Sequence, residues 1–250
     1  LIRHLEEVMG TVVSFVLRAD GLSDGAVEEA VQVACATLHR ADAVFSTFKP
    51  DSPVSRLRRG EMTEDEAPQE VRDVLALCRA ARAMSGGWFD PWSMPGGVDP
   101  TGLVKGWAAA RAADDLRAAG VCAAMVNAAG DLAAFGSPEG RGAWQAGIVD
   151  PRDPGSLAWI AEVGAAMATS GTGERGAHVI DPHSLVATGH VLSATVTGPD
   201  LALADALATA IAAGGREALD HVADLDGYEA LCLDRSGEWT VTDGFATVLG

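Results

Sequence analysis

Thr169, Ser170, His178, Asp181, Asp205 and Thr209 stand in a stretch whose background is Gly, Ala and aliphatic side chains. Few alternative partners surround them, and a polar group in apolar surroundings is costly unless paired, a charge more so. The segment LALADALATA carries the sharpest signal. Read as a helix, it sets Leu203, Leu207 and Ile211 on one face and Asp205 with Thr209, four apart, on another. Ala202, Ala206, Ala208, Ala212 and Ala213 surround that polar pair, so the helix is apolar almost all round and expected to be buried. A lone Asp on a helix is ordinarily a solvated carboxylate, but here the alanines favour a paired or metal-bound one. A carboxylate and a hydroxyl are both hard oxygen donors and suit Mg²⁺.

His178, in GAHVIDPHSL, precedes an Asp-Pro turn and is expected at a strand end. A lone His is more often structural than catalytic. His4, His39 and His221 read as surface residues, and His183 and His190 as part of a polar loop. His178 differs by its company of Thr169, Ser170 and Asp181, and an imidazole titrating near neutrality can take a proton from a hydroxyl. Two weaker signals follow. In VNAAGDL a strand ends in small residues before Asp131, which allows close approach of a ligand to the backbone. In DPTGLVKG, Gly102 precedes a helix whose first turn carries Lys105; free N–H groups and an ammonium there favour an anion, although the spacing is not that of a Walker loop.

These residues need a scaffold, and the composition bounds it. A net charge of −17 argues against a nucleic-acid surface, which requires clustered Lys and Arg. No apolar run is long enough for a membrane span. Cys35, Cys78, Cys122 and Cys232 lack metal-site spacing and read as four buried thiols. No secretory leader is visible, so the expected location is cytoplasmic, with an extracytoplasmic site after leader removal as the alternative.

Strands are expected at Thr11–Leu17, Val121–Asn127, Trp144–Val149, Ala158–Thr169 and Val191–Thr197. A closing hairpin pairs Tyr228–Leu233 with Glu238–Val241. Helices are expected over Gly25–Val44 (capped by Asp24), Pro68–Met84, Leu103–Ala119, Leu201–Ala213 and Arg216–Asp224. Phe45–Leu57 and Trp88–Gly102 read as turn-rich connections. Without regular βαβ alternation, the fold class is α+β with a mixed or antiparallel sheet and flanking helices.

Taken in order, Met9-Gly10-Thr11, STFKPDSPVSRL, DPTGLVKGWAAARAADDLRAAG, VNAAGDL, ATSGTGER, HVIDP, SATVTGPD and LADALATA resemble the ApbE family of flavin transferases. The resemblance implies a single ApbE-like domain over 1–250, with two lobes around the FAD site as an alternative arrangement. It implies transfer of FMN from FAD to a Ser or Thr hydroxyl of an acceptor protein, with release of AMP. FAD is then the substrate and Mg²⁺ the cofactor. His178 would activate the hydroxyl; Asp205, Thr209 and the Val104 carbonyl would hold the metal. Met9, Phe48, Lys105, Asp131, Thr169, Ser170 and Ile180 would contact FAD. Phe48 replaces the family's usual Tyr, which keeps stacking and loses a phenol hydrogen bond. Ala129-Gly130 replaces a glycine pair and DPTGLVKG replaces DLGGIAKG; the extra Cβ atoms are expected to narrow the flavin pocket. Two other activities fit the same residues: an Mg²⁺-dependent FAD pyrophosphatase yielding FMN and AMP, and a non-catalytic flavin-binding protein.

Overall fold

Alternation along TVVSFVLR places Val13, Phe15 and Leu17 on one face, and all three are fully buried. This segment is β2 (Thr11–Arg18) of an eight-stranded sheet in the computed structural model, which describes residues 1–171 and 179–249. Its strand order is β1 (Ile2–Val8), β2, β3 (Ala123–Ala128), β4 (Asp131–Phe135), β7 (Ala166–Gly171), β8 (Val191–Gly198), β9 (Glu229–Asp234) and β10 (Trp239–Val241). A smaller sheet orders β11 (Thr247–Leu249), β6 (Asp153–Val163) and β5 (Trp144–Asp150). Every pairing between these strands is antiparallel, so the α+β expectation holds in its antiparallel form.

Among the described residues, six α-helices accompany the sheets: α1 (Asp24–Phe45), α2 (Pro53–Arg58), α3 (Gln69–Met84), α4 (Thr101–Ala118), α5 (Leu201–Gly214) and α6 (Arg216–Ala223). Helix α4 packs on β3 and β4, and α5 on β7 and β8; α1 covers α4. The smaller sheet closes the opposite face, where Leu132, Ala134 and Met167 meet Trp144, Ile148 and Val163. Strand β4 is buried throughout because it serves both layers: Ala133 and Phe135 face the helices, Leu132 and Ala134 the small sheet.

Several boundaries differ from the sequence reading. The α1 cap is Ser23, whose hydroxyl accepts from the Ala26 amide at 3.3 Å, and Asp24 is the first helical residue. Within the supposed turn-rich 45–57, α2 forms because Ser52 caps it and Pro53 occupies its first position. The stretch 158–169 is two strands, broken at Gly164-Ala165 where the chain crosses from the small sheet to the large one. Helix α4 starts at Thr101 rather than Leu103, since Asp99 Oδ1 accepts from the Thr101 amide at 3.1 Å. Cys35, Cys78 and Cys232 are buried, but Cys122 is exposed at the entry to β3. No described helix is long and apolar enough to cross a membrane.

The ladder gathers particular residues at one end of the large sheet. Pairing of Val8 with Thr11 and of Ala128 with Asp131 leaves the two-residue turns Met9-Gly10 and Ala129-Gly130. Both residues of each turn have positive φ (54° and 68°; 53° and 95°), the geometry that matches hairpin twist. The end of β7 and the start of β8 lie at this same end, with Gly171 opposite Ser193. At the far end, β4 runs out into the loop 136–143.

Candidate functional site

A cavity of about 1420 Å³ opens at the end of the sheet where those turns lie. It is lined by the two turns, the tip of β7, the first turn of α4, the polar face of α5, the segment Ser46–Lys49, and β5. Typical small-molecule pockets span roughly 300–1,000 Å³, so this one accommodates a large ligand such as a dinucleotide.

Helices α4 and α5 meet through a matched set of positions. Gly102 and Gly106, one turn apart on α4, face Thr209 and Asp205, one turn apart on α5. A Cβ at Gly102 would lie 3.3–3.4 Å from the Thr209 side chain. A Cβ at Gly106 would lie 2.5 Å from the Leu201 carbonyl oxygen and 2.9 Å from Asp205 Cβ. The glycines therefore let α4 approach until the Gly106 amide donates to Asp205 Oδ2 at 2.9 Å. This groove was not foreseen, although Gly-x-x-x-Gly facing Asp-x-x-x-Thr could have signalled it.

Asp205 is buried and lines the cavity together with Thr209 and Val104. Burial pushes its carboxyl up, to about 8, and the negative charge of Asp131 adds to the effect; Lys105 and the Gly106 amide pull the other way. Such a group calls for a proton or a cation at neutral pH. With one carboxylate and one hydroxyl at hand, both hard oxygens, the donor set fits Mg²⁺.

Lys105 forms an ion pair with Asp131. Asp131 is fully buried and does not line the cavity; it sits behind the ammonium that does. Of the two residues expected to contact FAD here, Lys105 is on the cavity wall and Asp131 is not. The chain's two lysines, Lys49 and Lys105, both line the cavity, which concentrates cationic groups in an otherwise acidic protein. Lys49 is paired with Asp42.

The structure also places Met9, Phe48, Thr169, Ser170 and Ile180 on the cavity wall. Thr169 Oγ1 lies 2.9 Å from Thr195 Oγ1, which fixes its rotamer. Phe48 is 94% exposed, its ring held out at the rim. Asn127 Oδ1 accepts from the Gly130 amide at 2.9 Å and so braces the hairpin turn. His178 lies outside the described residues. Not anticipated were Trp88, Asn127 and the β5 segment 145–149, which also line the cavity. Arg58 was likewise missed. It pairs with Asp99 at 3.0 Å and donates to the carbonyls of Pro95 and Val98, holding the loop that feeds α4.

Comparison with known proteins adds an independent line. The model of the ApbE family matches residues 9–96 and 93–232. The FAD:protein FMN transferase of Rhodobacter capsulatus is 33% identical over 143 residues, which are 54% of this chain and 27% of that protein. The matched region thus spans about a quarter of that relative's length. Among solved structures, the flavin transferase ApbE from Vibrio cholerae superposes with a TM-score of 0.84 at 20% identity, covering 98% of this chain and 97% of that one. The flavinyl transferase ApbE of Pseudomonas stutzeri, in its apo form, gives 0.81 at 24% identity, covering 97% and 94%. The ApbE protein of Thermotoga maritima gives 0.81 at 20% identity, covering 97% of both chains.

Proposed function

The chain belongs to the ApbE family, and from that membership we propose that it is an Mg²⁺-dependent FAD:protein FMN transferase acting on a Ser or Thr hydroxyl of an acceptor protein. The observation that carries the proposal is Asp205: a buried carboxylate, raised in pKa, on the wall of a dinucleotide-sized cavity and one helical turn from Thr209.

Asp205, Thr209 and the carbonyl of Val104 would hold the metal, which when bound neutralises diphosphate charge and withdraws electrons from the phosphorus under attack. Lys105, kept in place by Asp131, presents a second positive charge to the anionic substrate. The turns Met9-Gly10 and Ala129-Gly130, with Thr169 and Ser170, shape the wall against which FAD is oriented. His178 takes the proton of the acceptor hydroxyl as its oxygen bonds to the FMN-side phosphorus. The bond from that phosphorus to the bridging oxygen breaks, and AMP departs with the electron pair. Positioning and electrostatic stabilisation dominate such transfers.

The test is mass spectrometry of a Ser/Thr-containing acceptor after incubation with the protein, FAD and Mg²⁺. A covalent FMN adduct that EDTA abolishes is the expected result. Free FMN and AMP with unmodified acceptor would establish the pyrophosphatase instead, and FAD recovered intact would leave a flavin-binding protein.

A further inference from the structure

Outside the cavity lining, strand β1 and helix α1 bring four metal-ligating side chains together. His4 and Glu6, two apart on β1, share the face that packs toward the helices; Cys35 and His39, one turn apart on α1, point at them. His4 keeps a partly exposed side chain, as anticipated, yet its ring is tilted against Phe15 at 5.7 Å, and its Nε2 lies 3.3 Å from Glu6 Oε2 and 3.5 Å from Cys35 Sγ. The donor atoms of His4, Glu6 and Cys35 all fall within 4.8 Å of one another. His39 Nε2 lies 2.6 Å from the other carboxylate oxygen of Glu6.

We propose that His4, Glu6 and Cys35 form a binding site for one Zn²⁺ ion, with His39 orienting Glu6 and water at the fourth position. A tetrahedral zinc with bonds of about 2.0–2.1 Å to N or O and about 2.3 Å to S sets neighbouring ligand atoms about 3.3–3.6 Å apart. The observed separations of 3.3 and 3.5 Å have that size, so the side chains need little movement to take up the ion. The chemistry also fits. Thiolate, imidazole and carboxylate are the three ligand types zinc favours, and one thiolate with one carboxylate balances its charge. Ligating carboxylates are commonly held by a further hydrogen bond, the place His39 occupies. None of the four residues lines the cavity, so this site stands whether or not the flavin reading does. Its consequence is structural: an ion here clips β1, an edge strand of the large sheet, to the longest helix.

The experiment uses the untagged, metal-stripped full chain titrated with Co²⁺, whose bond to a thiolate gives a near-ultraviolet charge-transfer band. A thiolate band that saturates at one Co²⁺ per chain, beyond any Co²⁺ taken up without a band by the oxygen ligands of the cavity, and its displacement by Zn²⁺ are expected. Cys35→Ser should remove the band and Glu6→Gln weaken it, while Cys122→Ser leaves it intact. His39→Ala should weaken affinity about 10- to 100-fold. Circular dichroism checks that each variant is folded, and the near-isosteric Glu6→Gln carries the test if Cys35→Ser is not. Absence of the band, its survival in Cys35→Ser, or its loss in Cys122→Ser would overturn the site.

Discussion

The amide of Gly106 and the carboxylate of Asp205, ninety-nine residues apart in sequence, are joined by a buried hydrogen bond of 2.9 Å. The bond exists only because nothing larger than hydrogen stands at position 106. The carboxylate is thereby held at the contact between α4 and α5, with its environment set by both helices.

Gly106→Ala would place a methyl group 2.5 Å from the Leu201 carbonyl oxygen, and that backbone cannot yield cheaply. A loss of about 1–3 kcal/mol is expected from such overpacking. Gly102→Ala meets contacts of 3.3–3.4 Å, made in part by rotatable Thr209 and Phe89 side chains, and should cost less. Urea unfolding of the two variants checks the order; equal midpoints would refute the close-approach argument.

Asp205→Asn keeps an acceptor for the Gly106 amide and removes the charge. Mg²⁺ should raise the Tm of the parent and leave that of the variant unchanged. In the metal-free parent the Asp205 pKa is raised from 3.8 to about 8, so the folded state holds the proton more tightly than the unfolded chain does. The stability from that group is complete at low pH, falls as pH rises through this window, and is spent above about 8. The parent's metal-free Tm should therefore decline from pH 5 toward pH 9 more steeply than the variant's. Parallel profiles would mean that Asp205 is an ordinary carboxylate.

His178→Ala should lower turnover at saturating FAD by about 100- to 10,000-fold, the usual span of general-base assistance, while FAD affinity changes little. Equal turnover in variant and parent would remove His178 from the chemistry.

Tyr228 is the only tyrosine in the chain, so its ionisation can be followed without interference from another. Burial, and secondarily the charge of Asp200, push its pKa up from 10.0 to about 12. Its phenol stays protonated in the fold after the unfolded chain has begun to ionise, so its contribution is complete below about pH 10 and is lost as pH rises through about 12. Tyrosinate absorbance should appear near pH 12 or together with alkaline unfolding, whichever comes first. Ionisation near pH 10 in folded protein would contradict the packing of the ring over Gly198.

The parts of this molecule that were legible in sequence are those governed by local pattern. The alanine surround of Asp205 announced a buried helix, and α5 is buried along nearly its whole length. The β-rich run from Thr11 to Leu17 announced β2. The parts that were not legible depend on partners distant in the chain. Nothing near Gly164 says that 158–163 and 166–169 join different sheets. Asp131 looks like a ligand contact until the ladder buries it behind Lys105. Gly106 looks like any helical glycine until α5 is laid across it. His4 and Cys35 become neighbours only once β1 is registered against β2 and α1 is packed against β1.

Because the hairpin tips, the last residues of β7 and the first turn of α4 crowd one end of the large sheet, the loop at its other end is a natural attachment point. The exposed run from Glu139 to Ala143 departs from the end of β4 remote from Asp131. A fluorophore or an affinity handle inserted after Glu139 would travel with the scaffold from a loop that contributes no residue to the cavity wall, and since that loop leads into β5, which does, its signal would report changes there.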